Sequence, residues 1–240
     1  MSAPDLLGAT VLTPDLEPLQ IQLTTASAKK QLAAVTALAE QGDAGITILW
    51  DYLQTQLDVE PTPVLGRIYQ LIARQGPAAM HNQLQALLPD GIVPLESERA
   101  IDYQPLQTLL IQQDYEAADR LSMQKLCELA GPGAMQRKWL YFSEVDRLPN
   151  IDLKTLDTLW LIYSEGKFGF SVQRELWLGL GRNFTKLWDK IAWKQGNVWT
   201  RYPGEFIWDL SAPVGHLPLS NQLRGVRTFE AILNHPVWTT

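Results

Sequence analysis

The chain has 240 residues, 46% of them hydrophobic, and a formal charge of −6 at pH 7. That length exceeds what one typical core needs and leaves room for one large domain or two smaller ones. Residues 1–100 carry five basic side chains against eleven acidic ones, so the entire excess lies there, while the remainder is balanced at fifteen of each; neutralising phosphates needs a basic surface, which sets aside general nucleic-acid binding.

Eight of the nine Trp lie after residue 138, so the two halves are built differently. Cys127 stands alone, which excludes an intrachain disulfide and argues against a thiolate zinc site; within the helix-like run LSMQKLCELA it reads as a buried, inert thiol in a reducing compartment. The opening MSAPDLLGAT lacks a basic region followed by an apolar stretch, no apolar run approaches 18 residues, and no Arg- and Ser-rich transit segment is seen. A bacterial cytoplasmic protein without a membrane anchor is expected.

About 26 residues rich in Pro and Thr come first and read as irregular. SAKKQLAAVTALAE then repeats Leu32, Val35 and Leu38 at threefold spacing, with Ser27 as N-cap and Gly42 just beyond the end. DAGITILWDYLQTQLD sets Ile46, Leu49, Leu53 and Leu57 on one face. TPVLGRIYQLIARQG begins with Thr62 as cap and Pro63 at the first helical position, where a missing N–H is tolerated. PAAMHNQLQALL makes a further helix, and the short connections imply antiparallel stacked hairpins. PDGIVPLESER, residues 89–99, breaks the pattern and reads as the domain boundary.

Beyond it, YQPLQTLL and DYEAADRLSMQKLCELA are helical until GPG at 131–133. DLKTLDTLWLIYSEG aligns Leu153, Leu156, Trp160 and Tyr163, with Asp152 as the expected N-cap. Ser171 is the expected cap of VQRELWLGLG, and Asn183 that of NFTKLWDKIAW, whose stripe is Phe184, Leu187, Trp188 and Ile191. Residues 195–221 keep neither period. Their length and their Trp199, Tyr202, Phe206 and Trp208 suggest a long structured loop, because loops beyond about 12–15 residues in compact domains are usually functional or disordered and this composition can bury itself. LRGVRTFEAILNH closes the chain as a helix ending at Pro236. No strand alternation is evident, so the expected fold class is all-α: an N-terminal helical bundle followed by an all-helical core with a long structured loop.

Reactive chemistry is sparse. There is no G-x-S-x-G elbow, P-loop, H-E-x-x-H, dinucleotide fingerprint or haem-attachment motif. His81, His216 and His235 are far apart and read as structural or exposed, and Glu144 with Asp146 as solvated surface. No catalytic residue, catalytic cofactor or metal ligand is assigned. The aromatic concentration is the stronger signal. Trp160, Trp177 and Trp188 lie on helical stripes and belong to a core, whereas Trp199, Tyr202 and Phe206 suit core and ligand wall equally. Arg224 and Arg227, three apart, project from one helical face; they suit a grip on carboxylates or a solvated face that pairs with Glu230.

LDTLWLIYSEGKFGFSVQRELW, together with APVGHLP and LRGVR, resembles the genomes-uncoupled-four family, porphyrin-binding activators of magnesium chelatase in oxygenic phototrophs. The resemblance covers about residue 100 to the C-terminus, and cyanobacterial members add an N-terminal helical bundle. It implies a division into a bundle at 1–95 and a tetrapyrrole-binding core at 96–240, with an apolar groove that holds protoporphyrin IX or Mg-protoporphyrin IX without transforming it. It implies that Phe168 and Phe170 bring apolar surface to the groove, that Arg224 and Arg227 meet the propionates, and that Trp199, Tyr202 and Phe206 form a mobile wall. Tyr202 stands where a Trp would also serve. Phe142 and Val145 in YFSEV are carried over as lining. The implied partner is the large porphyrin-binding subunit of magnesium chelatase, approached by a monomer that meets photosynthetic membranes only through its partners. The alternative is a helical scaffold acting only through protein–protein contacts; an enzyme that modifies tetrapyrroles is set aside for want of an acid/base constellation.

Overall fold

The computed structural model describes residues 15–220 and 226–239. Five helices come first: α1 Glu17–Thr25, α2 Ala28–Ala39, α3 Asp43–Thr55, α4 Pro63–Gln75 and α5 Ala78–Leu87. Helix α1 falls in the stretch read from composition as irregular. It is held against α2 by burial of Leu23 and by the Gln31 side chain, which donates to the Leu23 carbonyl at 2.7 Å. The start of α4 forms as expected, with Pro63 in its first turn and the Thr62 hydroxyl accepting the Leu65 N–H at 3.3 Å. Helix α3 ends at Thr55, so Leu57 leaves the expected stripe and is exposed.

The second part comprises α6 Gln104–Gln112, α7 Tyr115–Ala130, α8 Pro132–Arg137, α9 Phe142–Val145, α10 Asn150–Ile162, α11 Phe170–Gly179, α12 Phe184–Lys190, a hairpin of β1 Lys194–Gln195 and β2 Val198–Trp199, α13 Val226–Asn234 and a 3₁₀ turn at Pro236–Trp238. The strands pair antiparallel with Lys194 opposite Trp199. With only two-residue strands among the described residues, the fold is all-α.

Helix α10 is the central post. Leu153, Leu156, Trp160 and Tyr163, the expected stripe, are all buried. Tyr115 stacks on Trp160 at 6.0 Å, and the Trp160 indole donates to the Ser122 hydroxyl at 2.9 Å, so the ring's polar edge is satisfied inside the core. Asp152 does not cap this helix, which begins at Asn150. Its carboxylate accepts the Ser97 hydroxyl at 2.5 Å, the Glu98 N–H at 3.0 Å and the Tyr103 hydroxyl at 2.9 Å, tying the 89–99 boundary segment to the core.

Helix α4 joins the two parts. Gly66 lies so close to α10 that an added Cβ would stand 2.2 Å from the Ile162 carbonyl oxygen. Four residues on, the fully buried Gln70 amide donates to the carbonyls of Leu110 and Tyr163 at 2.8 and 2.9 Å. These carbonyls at the ends of α6 and α10 also accept the Gln113 N–H and the Tyr115 hydroxyl, so Gln70 adds a second donor to each and ties α4 to both helix ends.

Candidate functional site

The segment Pro213–Leu219 is built into the core by its backbone. Gly215 N–H donates to the Lys167 carbonyl at 2.8 Å, and Gly169 N–H to the Leu217 carbonyl at 3.1 Å. The buried Gln173 amide on α11 donates to the carbonyls of Gly215 and Pro218, both at 2.9 Å. At its far end, the Leu219 N–H donates to the Asp119 carboxylate of α7 at 2.6 Å. An irregular segment without helix or sheet partners can stay buried only when its polar groups are met in this way.

His216 organises the aromatic loop from inside that segment. Its Nδ1 lies 2.6 Å from the Ile191 carbonyl oxygen, which can only accept, so Nδ1 carries the hydrogen and Nε2 accepts the Ile207 N–H at 3.1 Å. Burial lowers its pKa, which keeps the ring neutral in the form this geometry requires. The His216 carbonyl accepts the Trp193 indole N–H at 2.7 Å, and Phe206 packs on the imidazole at 5.3 Å. Tyr202 and Trp208 cluster around Phe206 at 6.3 and 5.9 Å.

A second aromatic row leads from the hairpin to α13. Trp199 meets Trp188 at 4.8 Å, Trp188 stacks on Phe184 at 5.7 Å, and Phe184 touches Trp177 and Phe229. Two residues before Phe229, the Arg227 guanidinium stands over the Phe142 ring at 5.5 Å. Phe142 opens α9, whose start is fixed by the Glu144 carboxylate accepting the Tyr141 N–H at 2.8 Å while Arg137 grips the same carboxylate at 2.7 Å. Arg137 also lies over the Tyr141 ring at 4.1 Å.

The residues expected to line a groove therefore divide. Phe142, Trp199 and Tyr202 are 46%, 38% and 44% exposed and present aromatic surface. Arg227 is exposed beside Phe142. Phe206 is buried behind Tyr202. Phe168, Phe170 and Val145 are buried in the core. Phe168 packs edge-on against Tyr115 at 5.6 Å, Phe170 opens α11, and Val145 lies on the inward side of α9. Arg224 lies outside the described residues. Tyr141, Ile207 and Val214 add exposed apolar surface that the sequence reading did not select; a hydrophobic side chain in an irregular segment has no periodicity to reveal which way it faces.

Two buried carboxylates escaped the sequence reading. Asp119 is buried without an ion-pair partner among the described residues, and desolvation pushes its pKa up to about 7 against the opposing Leu219 hydrogen bond. Burial likewise raises Asp157 of α10 to about 6, although it accepts the Ser171 N–H at 2.9 Å. Asp157 replaces Ser171 as the cap of α11, whose N-cap position is Gly169. No group of three or more His, Cys, Asp or Glu is arranged to hold a metal ion among the described residues. The exposed aromatic faces and the arginine beside one of them suit a flat, largely apolar ligand with an anionic edge.

Comparisons with known proteins agree on one family. Residues 96–236 match the model described as GUN4-like, and residues 9–89 match an ARM-like repeat domain described as GUN4-N terminal. A "Ycf53-like protein" of Synechocystis sp. is 55% identical across 95% of this chain and 98% of its own length. The "Tetrapyrrole-binding protein, chloroplastic" of Arabidopsis thaliana is 36% identical over 60% of this chain and 57% of its own. The solved structure of GUN4 from Chlamydomonas reinhardtii superposes with a TM-score of 0.58 at 39% identity, covering 62% of this chain and 95% of that one. The chain belongs to the GUN4 family, in its cyanobacterial form.

Proposed function

We propose that this protein binds a tetrapyrrole, protoporphyrin IX or its magnesium complex, without transforming it, and in that state stimulates magnesium chelatase through the enzyme's large porphyrin-binding subunit. The observation that carries the reading is the Arg227 guanidinium held over the exposed Phe142 ring. It puts a fixed positive charge at the margin of aromatic surface, the pairing asked for by a macrocycle with apolar faces and propionates at one edge. Similarity to the Arabidopsis tetrapyrrole-binding protein supports the same ligand class. In this reading Phe142, Tyr141, Trp199 and Tyr202 supply the surface, Arg227 and Arg224 meet the propionates, and Phe168, Phe170, Val145 and Phe206 act as the rigid backing. The groove belongs to residues 96–240, and the helices before it form a separate supporting domain.

The test is a fluorescence-quenching titration of the purified protein with a water-soluble deuteroporphyrin and its magnesium form. Saturable one-to-one quenching is expected, weakened roughly tenfold by Arg227→Ala, as loss of a hydrogen bond between charged groups implies. A flat titration from folded protein would favour the scaffold reading. Chelatase stimulation is tested by adding the protein to the purified chelatase subunits and following magnesium insertion.

A further inference from the structure

We propose that Asp119 is the positioning residue of the ligand site, a buried carboxylate that holds the chain at Leu219 and thereby makes tetrapyrrole binding depend on pH. This inference rests on the proposed binding function and adds to it a control device.

The geometry is specific. Asp119 lies on α7, and the chain it holds is 100 residues away in sequence, bonded at 2.6 Å. Leu219 lies in the run from Gly215 to Ser220, which is buried throughout, and Arg227 stands eight positions further along the chain. Fixing Leu219 therefore anchors the segment whose His216 holds Ile207 and Phe206 of the aromatic loop. The aromatic loop reaches the same place: besides burial, the charges of Asp119 and of its helix neighbours Arg120 and Glu116 act on the Tyr202 phenol. One carboxylate thus stands between the segment leading to Arg227 and the loop bearing Tyr202.

Among the described residues no ion pair accounts for a charge here. Arg120 turns outward to pair with Glu116 at 3.7 Å and leaves Asp119 without an ion-pair partner among the described residues. A buried carboxylate of this kind costs stability, and an amide of the same shape would accept the Leu219 N–H without that cost. What the carboxylate alone supplies is a stronger, charge-assisted bond that weakens on protonation. The groups facing it are Glu116 and Arg120 on its own helix and Tyr202 from the loop; His216, three residues from Leu219, is engaged with Ile191 and Ile207 instead. The position of its pKa, about 7, makes the change accessible near neutrality.

The experiment compares wild type with Asp119→Asn in deuteroporphyrin titrations from pH 6 to 8, alongside thermal melts. Wild-type affinity is expected to fall roughly fivefold from pH 8 to 6, the margin between a charge-assisted and a neutral hydrogen bond. Asp119→Asn should bind at the weaker level throughout, while melting no lower than wild type at pH 8. Weaker binding from an equally stable variant separates positioning from a merely structural role. Equal, pH-independent binding by both proteins overturns the role of Asp119 and leaves the ligand assignment intact, whereas no quenching by wild type at any pH removes the ligand assignment itself. Should Asp119→Asn fail to fold, hydrogen exchange of the Leu219 amide in wild type decides: protection that falls from pH 8 to 6, after correction for intrinsic exchange, supports the latch, and unchanged protection overturns it.

Discussion

Asp157 and Gly169 meet at the start of α11: Oδ1 of Asp157 accepts the Ser171 N–H at 2.9 Å, and a Cβ built on Gly169 would stand 2.8 Å from that same oxygen. Gly169 has φ near +142°, a conformation that side-chain-bearing residues rarely adopt. The carboxylate from α10 can cap α11 only because nothing protrudes at residue 169.

Gly169→Ala is therefore expected to cost about 2–4 kcal/mol, combining backbone strain with displacement of the cap. Urea denaturation measures it. A variant of wild-type stability would mean that α11 can start without Asp157.

The pH response of Asp157 has a definite sign. Its pKa is raised from 3.8 to about 6 in the fold, so between those values the folded state holds a proton that the unfolded chain has lost. Stability from this group is thus fully present below about pH 4 and is lost as pH rises through about 6. Asp157→Asn removes the titration while keeping an acceptor. Relative to wild type it should gain on the order of 3 kcal/mol between pH 4 and 7, read from denaturation curves at both values.

His216 works in the opposite direction. Burial lowers its folded pKa below 6.5, so the unfolded chain takes up protons first and stability is lost as pH falls through that region. His216→Ala abolishes the response and leaves the Ile207 N–H and the Ile191 carbonyl without their partner, at a cost of about 2–4 kcal/mol. The intrinsic Trp emission should shift as well, because Trp193 is bonded to the backbone of this residue. Differential scanning calorimetry with emission spectra from pH 5 to 8 provides both readouts.

The junction between α4 and α10 makes a separate prediction. Gly66→Ala would press a methyl group against the Ile162 carbonyl, and it should destabilise the protein by about 3 kcal/mol. Residues 96–240 alone are expected to retain deuteroporphyrin binding but to melt at a lower temperature, because removing α4 takes the Gln70 donor from the carbonyls of Leu110 and Tyr163. Loss of binding from a folded truncation would put part of the groove in the first 95 residues.

Much of this molecule follows from residue order alone. Helical periodicity marks α2 to α7 and α10 to α13, because a buried face leaves a regular imprint on any helix. Thr62 and Asn183 sit at helix starts and accept N–H groups within three residues, a contact that short-range geometry suffices to make. GHLP, FGFSVQ and LRGVR carry the family resemblance, and the GUN4-like match over 96–236 covers the same part of the chain.

Tertiary structure decided the rest. Asp152 and Ser171 read as caps because local sequence allows it, yet Asp152 holds the boundary segment and Asp157 caps α11 from another helix. Nothing in FSVQREL distinguishes a self-capped helix from one capped across space. Phe142 and Phe168 are the same residue type in similar company, but one ring lies open beneath Arg227 and the other is closed between Tyr115 and Trp160. Which aromatic surface faces solvent, and which carboxylates lose their water, depends on contacts spanning up to a hundred residues, and such contacts leave no spacing in the chain to read.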